Sequence, residues 1–424
     1  MPQIFLLSNT LEAGIEPSFI ITDDFNRNQM LDLVVVNSGG HSFSFYKGNG
    51  DGSFNEQLVY KTGRGPICLA AEDYNKDGYK DIAVLNYEDQ TIQIFLNTKL
   101  GSFKKNNQTI KPGKIPINMI SGDFNNDGSP DIAVTMRFYQ VMILLGKGNV
   151  FFNEPVTFNV KGQPTGIVIG DYNKDDNVDI AVGLAGSGNT GVQILWGKGD
   201  GKFDGSKVFK GGKQPLTVVN IDVNNDGYLD LVTSSNSLHA LTTLINNKDK
   251  TFSSLRDFAS GNFPKFVVAA DFTGDGFEDI AVSNATDDQI SISLGKGDGT
   301  FTYPPIYHHV NEHPQGMAVG DFNGDGIDDV IIGARQDDNN SASSSGSAFI
   351  FFGGVTGTKT ADADADVILN GQSANDLFGN SVASAGDFNG DGKGDVIIGA
   401  RDDDNNSASN SGSAFIFFGG ITGT

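Results

Sequence analysis

The sequence predicts an all-β fold: a β-propeller of four-stranded antiparallel blades, seven or eight in number. Three observations carry that expectation. A nine-residue acidic phrase, clearest at Asp321-Phe-Asn323-Gly-Asp325-Gly326-Ile-Asp-Asp329, recurs eight times, starting at Asp24, Asp73, Asp123, Asp171, Asp222, Asp271, Asp321 and Asp387. Successive starts lie 49, 50, 48, 51, 49, 50 and 66 residues apart, a period that belongs to propellers and solenoids. Between copies, short apolar stretches alternate with Gly-rich and polar turns, and no helical periodicity intervenes.

The second repeat shows the plan. Ile67 to Glu72 reads as a first strand, Asp73 to Asp81 as the acidic loop, and Asp81 to Leu85 as a second strand. A polar turn, Asn86 to Gln90, leads to a third strand, Thr91 to Leu96. A further turn leads to a fourth strand near Phe103, and a Gly-x-x-Pro link, Gly113 to Pro116, opens the next repeat. The turn before the fourth strand carries Asp-Gly at Asp51-Gly52, Asp200-Gly201 and Asp298-Gly299, a pair that tolerates the positive φ of a tight hairpin. These turns lack further carboxylates and read as turns only.

Repeats then fall at about 18–64, 65–114, 115–163, 164–213, 214–262, 263–312, 313–376 and 377–424, within a single propeller spanning 1–424. The last repeat stops after its third strand, Phe415 to Phe418. Residues 1–17 are expected to complete it, with 3–8 as the missing fourth strand, which removes an exposed sheet edge. The alternative is a fragment cut from a longer array. Residues 321–354 and 387–420 match at 30 of 34 positions, the mark of one duplicated blade. Their long polar turns, Gln336 to Ser347 and Asp402 to Ser413, are rich in Asn and Ser. An Ala/Asp/Gly/Thr stretch, Thr356 to Asp366, lies between the two copies.

Net charge is −23 over 424 residues, and the acidic loops supply most of it. Eight divalent ions would leave about −7, so the acidity reads as ion-binding capacity. No basic patch is present to neutralise phosphates, which argues against a nucleic-acid partner. No run of 18 apolar residues spans a membrane, and the N-terminus lacks the basic and long apolar regions of a signal peptide. The one cysteine, Cys68, stands among apolar neighbours and is expected in the core, as is Trp196. His308 and His309 near His313 read as a solvated strand end.

In Asp-x-Asn-x-Asp-Gly-x-x-Asp, side-chain oxygens at positions 1, 3 and 5 converge on a tight turn. Gly at position 6 permits the turn, position 7 offers a carbonyl, and position 9 supplies a carboxylate able to bind bidentately. An all-oxygen set of six or seven ligands suits Ca2+ before Mg2+. Five loops keep the full form. They are Asp73, Asn75, Asp77, Tyr79 and Asp81; Asp123, Asn125, Asp127, Ser129 and Asp131; Asp222, Asn224, Asp226, Tyr228 and Asp230; Asp321, Asn323, Asp325, Ile327 and Asp329; and Asp387, Asn389, Asp391, Lys393 and Asp395. The set Asp171, Asn173, Asp175, Asn177 and Asp179 has Asp176 in place of Gly, and the set Asp271, Thr273, Asp275, Phe277 and Asp279 has Thr at position 3. The first loop, Asp24, Asn26, Asn28 and Asp32, has Gln29 at position 6 and is the one expected to be empty. Several calcium ions are thus expected, up to seven or eight.

Leu377-Phe378-Gly379 through Gly386-Asp387-Phe-Asn-Gly-Asp-Gly, followed by Val396-Ile-Ile-Gly399-Ala400, resembles the FG-GAP repeat of integrin α-subunit propellers. The middle repeats resemble the related VCBS-type repeats of secreted and surface proteins. Arg401 stands where that family usually has Pro, and only the final repeat has the Phe-Gly pair. The resemblance implies a propeller, usually seven-bladed, with calcium between first and second strands, and a role in adhesion or recognition.

The leading expectation is a non-enzymatic, calcium-binding recognition module, extracellular or at the cell surface, with a protein or glycan partner. The alternatives are an accessory or catalytic domain of a secreted polysaccharide-active or other hydrolytic enzyme, and a purely structural array. Calcium in the first-to-second-strand loops is expected to stiffen the blades. A ligand would then use the opposite strand ends, near the turns around Asp337 to Asn340 and Asp403 to Asn406.

Overall fold

The computed structural model describes residues 6–420 except 100, 187–189, 205–206, 256, 311, 339–342, 355–364 and 404–411. Among these residues there is no helix, and the strands form eight separate antiparallel sheets. The fold is an eight-bladed β-propeller, which settles the blade number left open by the sequence. Two compact units make up the chain: residues 1–61, 260–295 and 301–424 form one, and residues 62–259 with 296–300 the other.

Within the second unit, the strands Pro66–Glu72, Asp81–Asn86, Thr91–Asn97 and Phe103–Ile110 pair in sequence order. Three further blades repeat this meander, and two of them split the fourth strand in two, at Phe203–Asp204 with Val208–Phe209 and at Phe252–Ser254 with Phe258–Ala259. Second strands are buried along their whole length, as at Asp131–Met136, save Ala185 at the end of Asp179–Ala185. Their near-continuous apolar runs follow from this, because both faces of the sheet are covered. The sheets pack face to face. Val141 and Ile143 of one blade meet Ile180, Val182 and Leu184 of the next around Phe124, and each such side chain contributes about 1.5–3 kcal/mol on burial.

Within the first unit, the strand Leu6–Glu12 pairs antiparallel with Ser413–Phe418, placing Thr10 opposite Phe415 and Glu12 opposite Ser413. The last blade therefore takes its fourth strand from the beginning of the chain. The strand runs further along than 3–8, and residues 1–5 lie outside the described set.

First strands share a device. Seven of the eight open on Pro or reach it one residue in, and the ladder register shifts just after, as between Pro66 and Cys68 and between Pro116 and Asn118. In most blades the residue before Pro is left-handed: Glu16, Gly65, Ile115, Gln214, Phe263 and His313 have φ of 53–61°. The carbonyl of this residue then caps the turn after the second strand, accepting from Tyr87 N–H at Gly65 (2.7 Å) and from Arg137 N–H at Ile115 (3.0 Å).

Cys68 and Trp196 are core residues, 8% and 6% exposed. Burial pushes the Cys68 thiol up to about 12. His308 departs from the expectation of a solvated strand end. It is 7% exposed and packs against Phe351, with ring centroids 4.7 Å apart, because the alternation of its strand turns this position inward and His309 outward.

Candidate metal centres

Every acidic loop closes in the same way. The position 1 carboxylate accepts two main-chain N–H groups, from positions 5 and 6. At Asp73 these are Asp77 N (3.0 Å) and Gly78 N (2.7 Å), and at Asp321 they are Asp325 N (3.1 Å) and Gly326 N (2.9 Å). The Asn at position 3 shares the position 5 N–H and the Asp at position 5 accepts the position 7 N–H: Asp77 N also reaches Asn75 Oδ1 at 2.8 Å, and Tyr79 N reaches Asp77 Oδ1 at 3.0 Å. The sequence drives this directly, since short Asx side chains bond to main chain two to five residues ahead.

Both positions 4 and 6 are left-handed. Position 6 is Gly in six loops, Gln29 (φ 66°) in the first and Asp176 (φ 64°) in the fourth. Position 4, not singled out from the sequence, is Arg27, Lys76, Asn126, Lys174, Asn225, Gly274, Gly324 or Gly390. The first loop folds like the rest despite its substitutions: Asn28 N and Gln29 N reach Asp24 at 3.0 and 2.7 Å. What it lacks is the position 5 charge. In the sixth loop Thr273 Oγ1 donates to Asp271 Oδ1 at 3.3 Å.

The position 9 aspartates, Asp32, Asp81, Asp131, Asp179, Asp230, Asp279, Asp329 and Asp395, are fully buried. One oxygen of each accepts a main-chain N–H from the end of the third strand or just beyond it, such as Asn97 N on Asp81 (2.8 Å), Gly146 N on Asp131 (2.6 Å) and Gly353 N on Asp329 (2.8 Å). In six loops the other oxygen accepts the position 2 N–H, as with Phe124 N on Asp131 (2.8 Å) and Phe388 N on Asp395 (2.7 Å). This residue is therefore a staple between loop and sheet as well as a candidate ligand. Burial first, and the neighbouring loop carboxylates after it, push these carboxyls up to about 7, and Asp32 to about 6.

The donor set fits a hard cation. Among the described residues, Asp81 Oδ2, Asp230 Oδ2 and Asn173 Oδ1 are buried with no hydrogen-bond partner, a costly arrangement unless something satisfies them. Asn323 Nδ2 lies 3.0 Å from Asp325 Oδ2 and 3.4 Å from Asp329 Oδ1, so positions 3, 5 and 9 converge in that loop. Asn125 and Asn389 likewise reach the position 5 carboxylates Asp127 (2.9 Å) and Asp391 (3.2 Å). Carboxylates alone do not cluster: among the described residues no group of three His, Cys, Asp or Glu side chains is placed to hold an ion. Any cation would have to draw on the Asn oxygens and the position 7 carbonyl as well. In three loops a lysine touches the position 5 carboxylate, Lys99 on Asp77 at 3.3 Å, Lys248 on Asp226 at 3.1 Å and Lys250 on Asp175 at 3.5 Å.

The loops also form seams between neighbouring blades. The position 2 carbonyl accepts an N–H from the third hairpin of the following blade, with Val150 on Tyr74 (3.0 Å) and Gly201 on Phe124 (3.0 Å) in one unit, and Gly52 on Phe388 (3.1 Å) and Gly354 on Phe272 (2.9 Å) in the other. The Asp-Gly pairs are turns, as read, but their glycines Gly52 and Gly201 also brace the preceding loop. Ring contacts follow the same route, Phe124 on Phe203 at 5.9 Å and Phe54 on Phe388 at 5.1 Å.

The repeat unit is now defined by position. The FG-GAP-like repeat pattern matches residues 24–84, 73–134, 123–182, 222–282 and 271–332, and the FG-GAP repeat pattern matches residues 378–417. The chain belongs to the FG-GAP repeat family. The FG-GAP pattern itself falls on the one repeat with Phe378-Gly379, as the resemblance implied. No curated protein matches this FG-GAP chain. Among solved structures it is similar to Saccharomyces cerevisiae Sqt1, with a TM-score of 0.63 at 9% identity over 100% of this chain and 99% of that one. It is similar to BBS1N, crystallised in complex with ARL6DN, with a TM-score of 0.52 at 10% identity over 100% and 99%. It is also similar to a functionally unknown protein from Desulfotomaculum acetoxidans, with 0.53 at 14% identity over 80% and 98%. At these identities the likeness is one of fold.

The long polar turns expected to meet a ligand are only partly described, since 339–342 and 404–411 lie outside the described residues. Asp337 and Asp403 are 2% and 1% exposed and do not present their side chains to solvent. Most of Thr356 to Asp366 also lies outside the described residues.

Proposed function

We propose that this FG-GAP propeller is a non-enzymatic, calcium-stabilised recognition module acting outside the cell or at its surface, with a protein or glycan partner. The observation that carries the calcium part is the set of buried, partnerless loop oxygens, Asp81 Oδ2, Asp230 Oδ2 and Asn173 Oδ1, within loops whose carboxylates repel one another. A bound cation satisfies the oxygens and offsets the repulsion. Calcium supplies charge neutralisation and cross-linking of each loop, and the seam bonds pass that stiffness to the neighbouring blade. Sites of this loop type are commonly filled where calcium is abundant, hence the extracellular setting.

Recognition then belongs to the opposite ends of the strands, where the turns after the second strands lie. Calorimetric titration should find several calcium sites, and a protein and glycan array probed with and without calcium should give calcium-dependent capture of one partner class. No calcium uptake sinks the metal part of the reading. Turnover of a captured polymer sinks the non-enzymatic part, and a silent array sinks recognition.

A further inference from the structure

In the unit of residues 62–259, a cleft of about 490 Å³ opens at the strand ends away from the acidic loops. Three successive blades build it, with Gln163 opening the first strand, Gln163–Gly170, of the third. Its apolar wall is Ile67, Ile115, Pro116 and Ile117, and its polar groups are Tyr87, Arg137 and Gln163. Tyr87 and Arg137 hold equivalent places, each the first residue after a second strand. Ile115 is β-branched yet left-handed at φ 56°, a conformation such residues rarely take. The Arg137 N–H bond to the Ile115 carbonyl holds it there.

Among the described residues, the Tyr87 hydroxyl, the Arg137 guanidinium and the Gln163 amide make no hydrogen bond or ion pair. Tyr87 is 41% exposed, and Phe138 and Tyr139, beside Arg137, are 56% and 53% exposed. In a chain of net charge −23, a guanidinium with no carboxylate partner among the described residues, set beside an aliphatic wall, selects its own complement.

We propose that this cleft binds a monocarboxylate carrying an apolar arm, of the kind a polypeptide C-terminus or a small acylated amino acid presents. The proposal rests on the recognition reading and adds the ligand chemistry to it. Arg137 takes the carboxylate through its two-pronged fork. The arm lies on Ile67 and Ile117, and Gln163 and the Tyr87 hydroxyl meet the remaining polar atoms. One cation favours one negative charge: a phosphate dianion would leave a charge uncompensated in an already acidic protein. The volume is that of a small-ligand site.

The test is calorimetry and ligand-observed NMR on the full chain with calcium present, using N-acetyl-L-leucine, its uncharged amide, and a tetrapeptide ending in Leu with a free carboxylate. The acid should bind at least about tenfold more tightly than the amide, since a charge-assisted fork is lost with the carboxylate. Arg137→Ala should remove that difference, Arg137→Lys should keep part of it, and Lys104→Ala, on an exposed fourth strand, should change nothing. Tighter binding of the tetrapeptide assigns the site to polypeptide ends, and equal binding assigns it to small acids. Equal binding of acid and amide, or an unaltered Arg137→Ala protein of normal melting temperature, overturns the proposal. The two readings fail separately. A partner captured equally well by wild type and Arg137→Ala removes the cleft and leaves recognition standing, whereas a silent array removes recognition while the acid titration still decides the cleft.

Discussion

The Gly201 amide donates to the Phe124 carbonyl at 3.0 Å, tying the hairpin tip of one blade to the acidic loop of the blade before it. Gly201 has φ 75°, and an added Cβ would lie 2.4 Å from Leu145 Cδ1. Gly52 holds the same post against Phe388, with φ 80° and a Cβ position 1.7 Å from the Phe418 ring. Hairpin glycines are thus fixed by what stands beside them as well as by their own φ.

A graded series follows. Gly276→Ala, at φ 85° with open space around it, should lose about 1–2 kcal/mol from the left-handed backbone alone. Gly201→Ala adds a flexible leucine that can yield, and Gly52→Ala adds a ring that cannot. Melting temperatures should fall in that order, and an unchanged Gly52→Ala protein would dismiss the seam.

Positions 5 and 9 of a loop should separate under mutation. Asp329→Ala leaves the Phe322 and Gly353 N–H groups buried without an acceptor, at about 1–3 kcal/mol each, with or without calcium. Asp325→Asn keeps those bonds and should lower the calcium-induced rise in melting temperature while leaving the melt in chelator near wild type. Differential scanning calorimetry in calcium and in chelator reads both.

The buried position 9 carboxyls give a pH signature. Their folded-state values, about 7, lie above the ordinary aspartate range, so between about pH 4 and 7 the folded protein binds more protons than the unfolded chain. Their contribution is fully present below the unfolded value and lost as pH rises through 7. In chelator, melting temperature should therefore fall from pH 5 to pH 8. Saturating calcium, which favours the ionised form, should flatten or reverse the slope. Parallel slopes in the two conditions would separate these carboxyls from the ion.

Lys99 and Lys248 compete for the carboxylates a cation would use. Both are about half exposed, so each ion pair is worth less than about 1 kcal/mol. Lys99→Ala and Lys248→Ala should leave stability in chelator nearly unchanged and tighten one calcium site each by up to about fivefold. Calorimetric titration decides it.

Loops, strands and blade rhythm were legible because each is local: nine residues carry a loop's full hydrogen-bond pattern, and its recurrence marks the repeat. Left-handed position 4 was masked because five repeats fill it with Arg, Lys or Asn. The double role of Gly201 was not legible, since its partner Phe124 lies in another repeat and the Asp-Gly pair explains itself as a turn. His308 was misjudged for a related reason: what covers it is Phe351, a residue of the next blade. The cleft at Arg137 gathers seven residues from three blades, and no single repeat shows it.

The pairing of Thr10 with Phe415 gives the protein a direction in time. On the ribosome, residues 6–12 find their partner only once residues 413–418 have been made, and closing so long a loop is slow. Residues 62–259 carry four blades whose strands pair within that stretch, and these can consolidate earlier in synthesis. The blade that joins residues 6–12 to residues 413–418 must form after them, so a growing chain carries the strand Leu6–Glu12 unpaired throughout that interval. That interval, rather than the finished molecule, is where aggregation by edge pairing threatens.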